Sequence, residues 1–101
     1  MKTKKKIEGK PNVFGNFRNS EYLRLKHIID NSNLPYEDIE SIYYFDSKRW
    51  DLKTVDNILI KLPQKNIKDA LKLVVELLSY QKFANIKTID VRINNQVILN
   101  E

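Results

Sequence analysis

Apolar residues fall at Tyr22, Leu25, Ile28 and Ile29, between Asn19-Ser20 and the run Asn31-Ser32-Asn33 with Pro35 beyond it. Spacings of three and four predict a short amphipathic helix that starts at an Asn19-Ser20 cap and stops before Asn31. The next stretch, I-E-S-I-Y-Y-F from Ile39 to Phe45, is rich in β-branched and aromatic residues and reads as a strand bounded by Asp46-Ser47. From Arg49 to Pro63, R-W-D-L-K-T-V-D-N-I-L-I-K-L-P alternates apolar and polar positions twice and breaks at Val55-Asp56-Asn57. A three-residue loop at that break sets Thr54 opposite Ile58, Leu52 opposite Ile60 and Trp50 opposite Leu62. Trp50, Leu52, Ile58, Ile60 and Leu62 then share one face, whereas a two-residue turn would put Leu52 opposite Lys61 and scatter the set. The three-residue loop is therefore predicted, closed by Asn57 in the left-handed region that asparagine tolerates. Lys53 and Lys61 point to the other face, with Arg49 and Asp51, and that face is wet.

Downstream, Asn66 with Asp69 three residues on resembles a capping box, and Ile67, Ala70, Leu71, Val74, Leu77 and Leu78 follow at helical spacing. The pattern predicts a helix to about Tyr80. In the last segment, T-I-D-V-R-I-N-N-Q-V-I-L-N, alternation on both sides of Asn94-Asn95 predicts a second hairpin, with Ile93 opposite Gln96 or Val97. The expected fold is α+β: an antiparallel sheet of about five strands with two helices, in the order helix, three strands, helix, two strands. Ile98 and Leu99 are apolar on both parities of the final strand. Either both faces of that strand are covered or one awaits a partner.

Composition removes most chemistries. The 101 residues suit one domain with a single modest core. With no cysteine there is no disulfide framework, thiolate metal site or cysteine nucleophile, and one histidine is too few for a histidine-rich metal site. That residue, His27, sits late in the first helix, where a histidine suits the carbonyl end. Glu37-Asp38 follows Pro35 in a turn and makes no defensible catalytic pair. Gly9 and Gly15 are too few for a glycine-rich phosphate loop. Trp50 in its alternating stripe is simplest as core. No catalytic, metal or cofactor residues are assigned.

The net charge of +5 invites a nucleic-acid reading, which position weakens. The first ten residues hold five lysines and one glutamate, leaving only +1 for residues 11–101. A basic tip on a nearly neutral body is not a phosphate-binding face, which needs its cations clustered on folded surface. The chain divides into a basic, flexible tail over residues 1–10 and a domain over 11–101. The tip lacks the apolar stretch of a secretory signal. A small basic nucleic-acid-binding module remains the alternative on charge alone.

One resemblance carries more information. R-W-D-L (Arg49–Leu52), then L-P at Leu62-Pro63, then the capped helix, then I-D-V-R (Ile89–Arg92) leading into a hairpin resemble the C-terminal part of the bacterial cell-division FtsQ (DivIB) family. Pro11 to Gly15 (P-N-V-F-G) resembles the short segment that precedes the first helix there. Coverage runs from about residue 10 to the end, and the chain departs from many members in having Asn57 where they have glycine and Gln96 after Asn95. The resemblance implies a non-enzymatic scaffold on the periplasmic side of the inner membrane, part of a single-pass protein whose tail, membrane helix and POTRA domain are absent from this sequence. It implies as partners the division proteins FtsB and FtsL, captured by adding a strand to the edge near the C-terminus. On this chain that edge is Val97, Ile98, Leu99 and Asn100 with the adjoining Arg92 and Ile93, and Arg92 is placed to meet partner carboxylates. Lys48 and Arg49 stand near a second basic contact of the family. Two plainer readings stay open: Arg92 simply pairing with Asp90 or another surface acid, and Lys48-Arg49 as ordinary turn charge.

Overall fold

A computed structural model describes residues 11–79, 86–93 and 96–100. Six strands form one sheet in chain order: β1 (Asn12–Phe14), β2 (Ile39–Tyr44), β3 (Trp50–Thr54), β4 (Leu59–Lys61), β5 (Thr88–Asp90) and β6 (Ile98–Asn100). Helix α1 (Asn19–Asp30) connects β1 to β2 and helix α2 (Ile67–Leu78) connects β4 to β5. The α+β class and the two helices match expectation, but the sheet is mixed. β1 and β2 pair in parallel, as do β4 and β5, while the other three pairs are antiparallel. The reason is connectivity: a strand that leaves through a helix and returns beside its start arrives in the same direction, whereas a tight turn reverses it. The sixth strand, β1, was not anticipated. It is three residues of P-N-V-F-G, too short to display a period.

The register sorts the side chains by row. One transverse row reads Val13, Ile42, Leu52, Ile60, Ile89 and Leu99, a single aliphatic from each strand. This row faces both helices, whose Leu25, Ile29, Leu71 and Val74 lie in the same core cluster as its four central members. Each fully buried aliphatic side chain of this kind contributes roughly 1.5–3 kcal/mol of hydrophobic stabilisation. Trp50 is buried as the alternation demanded, with the Tyr44 ring 4.6 Å and the Phe17 ring 5.6 Å away.

The β3–β4 hairpin has the three-residue loop. Thr54 N–H donates to the Ile58 carbonyl at 2.9 Å, Asn57 has φ +67°, and the Thr54 hydroxyl accepts from the backbone N–H groups of Asp56 and Ile58. Both helix starts differ from expectation. α1 is capped at Arg18, whose carbonyl accepts the N–H groups of Glu21 and Tyr22 and whose own N–H donates to the Glu21 carboxylate at 2.8 Å. The other oxygen of Glu21 accepts the Tyr44 hydroxyl and ties the helix to β2, so a local capping bond and a tertiary contact hold the same carboxylate. At α2, Asn66 is the cap residue but adopts a left-handed conformation with φ +62° and makes no side-chain cap bond, so the capping box is not formed. α2 ends at Leu78 with Ser79 as its C-cap, close to the expected end near Tyr80, and the turn at Asn94-Asn95 lies outside the described residues. Across that turn, Gln96 N–H donates to the Ile93 carbonyl at 3.1 Å.

Candidate partner-binding site

β6 ends the sheet. Its inner edge pairs with β5 through Thr88–Asn100, Ile89–Leu99 and Asp90–Ile98, and no described strand lies beyond its outer edge. The two parities of the strand have different fates. Leu99 turns toward the helices and is half-buried, with Val97 also packed against the core, whereas Ile98 on the uncovered face stays 43% exposed. Asn100 is exposed. Among the described residues the edge therefore presents backbone groups with no strand partner beside an apolar side chain, the physical requirement for strand addition. Ile93, 57% exposed, stands next to it.

Arg92 lies where β5 gives way to the last connection. Its Nε donates to Asp90 Oδ1 at 2.9 Å and its Nη2 to Oδ2 at 2.6 Å, a two-pronged pair, and its backbone N–H adds a bond of 3.1 Å to Oδ1. The local partner considered in the sequence is thus engaged. The guanidinium is not consumed by it, because the Arg92 side chain remains 43% exposed. Hydrogen bonds from Arg92 hold the Asp90 carboxyl below the usual carboxylate range against an opposing burial effect.

Arg49, directly before β3, pairs with Asp51 through one bond. Its Nη1 donates to Asp51 Oδ1 at 2.9 Å and to the Leu62 carbonyl at 3.2 Å, with the guanidinium carbon 5.0 Å from the centre of the Phe45 ring. Lys48, in the turn before it, has φ +66° and closes that turn by donating its N–H to the Phe45 carbonyl at 2.8 Å. Asp51 corrects the sequence reading of a wet outer face. It points away from the helices, yet its side chain is only 5% exposed, because Arg49 lies against it and Tyr43 and Lys61 flank it on the neighbouring strands. Burial pushes its carboxyl up, opposed by the bond from Arg49 and by the charges of Arg49, Lys61 and Arg92.

Sheet topology brings the two basic positions together. β3 is antiparallel to β4 and β4 is parallel to β5, so β3 and β5 run in opposite directions. Arg49 comes two residues before Asp51, and Arg92 two after Asp90. On opposed strands both arginines consequently project beyond the same end of the sheet, two strands or about 10 Å apart. A cavity of about 340 Å³ opens at that end between the start of α2 (Asn66, Asp69, Leu73) and Val91, Arg92 and Ile93. Sequence reasoning named the arginines but not the two aspartates as a pair. The available signal was the inverted relation of R-W-D to D-V-R.

The family model described as "Cell division protein FtsQ/DivIB, C-terminal" matches residues 4–92. The chain belongs to this family. It is a cell-division domain of the FtsQ/DivIB type, as R-W-D-L, L-P and I-D-V-R indicated. No curated protein matches it. Among the described residues, no helix of this FtsQ/DivIB domain is long and apolar enough to cross a membrane, and no three His, Cys, Asp or Glu side chains come together as a metal site. Neither fold nor family supports the nucleic-acid reading.

Proposed function

We propose that this FtsQ/DivIB domain is a non-enzymatic scaffold of the division machinery, on the periplasmic side of the inner membrane, that captures FtsB, with FtsL, by strand addition to β6. The observation that carries this reading is the outer edge of β6, which no described strand covers, beside an exposed, pre-oriented Arg92. A partner strand laid along Val97, Ile98, Leu99 and Asn100 gains main-chain hydrogen bonds from the edge and apolar contact from Ile98. Arg92 and Ile93 receive the part of the partner that continues past the strand, the first through a carboxylate and the second through apolar surface. Lys48 and Arg49, at the same end of the sheet, supply the second basic contact. No step of this function needs a cofactor or a reacting group.

The test is a ¹⁵N–¹H NMR titration of the chain with a peptide from the C-terminal part of the cognate FtsB. The expected result is shift changes concentrated in residues 88–100, with smaller ones at Lys48 and Arg49. A dispersed spectrum that stays silent as peptide is added would remove strand capture at β6 from consideration.

A further inference from the structure

We infer that Asp51 is a positioning residue for partner capture: buried on the uncovered face of the sheet, it aims Arg49 so that Arg49 and Arg92 form one clamp for an acidic segment of the partner. This rests on the scaffold reading above and adds to it a residue that does not itself touch the partner.

Three features support the assignment. Asp51, Lys61 and Asp90 stand in one transverse row across β3, β4 and β5, so the two carboxylates share a neighbour of opposite charge. Arg49 and Arg92 stand beyond this row at the same end of the sheet, and each turns its guanidinium back onto the aspartate two residues away on its own segment. Arg49, Lys61 and Arg92 outnumber Asp51 and Asp90 by one charge, which favours an acidic occupant. The second feature is cost. A carboxylate removed from water on a face that no described helix covers is not required by packing, and a single bond from Arg49 does not offset its burial. Residues that break a local rule in this way concentrate where function requires them. The third is geometry. Arg49 is fixed at three points, by the Asp51 carboxylate, the Leu62 carbonyl and the Phe45 ring, and of these only Asp51 supplies an opposite charge.

The experiment measures affinity of the 101-residue chain for the cognate FtsB peptide in Asp51→Asn, Arg49→Ala and the double variant, with thermal unfolding of each. The expected result is that Asp51→Asn binds about tenfold more weakly, at an unfolding midpoint no lower than that of the unaltered chain. In the Arg49→Ala background it produces no additional loss, since Asp51 acts through that arginine. Unchanged affinity of Asp51→Asn, or an equal loss in both backgrounds, overturns the inference. If Asp51→Asn does not fold, Arg49→Lys decides in its place: it keeps the charge but not the planar fork, and wild-type affinity in that variant overturns the inference. Failure of the unaltered chain to bind the peptide would overturn the scaffold reading and this inference together, whereas binding that ignores Asp51 would overturn this inference alone.

Discussion

At the scale of single residues, two aspartates of one row behave in opposite ways. Asp90 receives three bonds from Arg92, and its carboxyl is held below the ordinary value of 3.8. A group depressed in the folded state contributes stability above its unfolded pKa and loses it as pH falls through the folded one. Asp51 receives one bond and is buried, so its carboxyl is raised above 3.8, with burial the larger cause. Here the folded state binds the proton more readily than the unfolded chain, and stability declines as pH rises from 3.8 through the folded value. Asp90→Asn is accordingly expected to unfold more easily than the unaltered chain at neutral pH, the difference closing in acid. Asp51→Asn is expected to be at least as stable as the unaltered chain at neutral pH. Urea denaturation from about pH 7 down to about pH 3 checks both signs. An Asp90→Asn chain that matches the unaltered one throughout would mean that the Arg92 grip contributes nothing to folding.

At the scale of elements, the legible and illegible parts of the fold separate by length and by range of contact. The two helices and the β3–β4 hairpin announce themselves because their apolar residues repeat over enough turns or strand positions to fix a period, and the register of Leu52 on Ile60 follows from that repeat. β1 has three residues and exists only because β2 is beside it. Its pairing ends at Gly15, whose φ is +123° and where a Cβ would lie 2.5 Å from the Tyr44 carbonyl oxygen. Only glycine satisfies both conditions. Gly15→Ala is therefore expected to destabilise the domain by more than about 1 kcal/mol and to detach β1. Hydrogen exchange at Val13 and Phe14 that speeds up while the β3–β4 hairpin stays protected is the expected signature; unchanged exchange would contradict the steric argument. The parallel pairs β1–β2 and β4–β5 were legible in principle from helices lying between strands, but only once those strands are known to be neighbours. The candidate site divides in the same way. D-x-R and R-x-D are visible as letters, whereas the burial of Asp51 depends on Tyr43 and Lys61 from two other strands and has no local trace.

At the scale of the whole molecule, the position of the charges decides what the basic N-terminal segment contributes. β1 is the opposite edge of the sheet from β6, five strand spacings or about 24 Å away. It is also entered from the opposite end, because Asn12 aligns with Ser41 and Asn100 stands at that same end of β6, while Arg49 and Arg92 lie beyond the other end. Residues 1–10, with their five lysines, thus join the folded domain at Pro11, at the end of the sheet opposite the arginines and on the edge opposite β6. At physiological ionic strength the screening length is about 8 Å, a third of the spacing between the β1 and β6 edges. Deleting residues 1–10 is consequently expected to leave the affinity for an FtsB peptide within about twofold at physiological salt, as measured by calorimetric titration. The same deletion removes most of the net positive charge, so binding that depended on it would fall steeply and would already weaken with added salt. A truncated chain that keeps its affinity locates recognition in the folded sheet, whereas one that loses it would assign recognition to the lysine-rich segment and leave β6 without a demonstrated role.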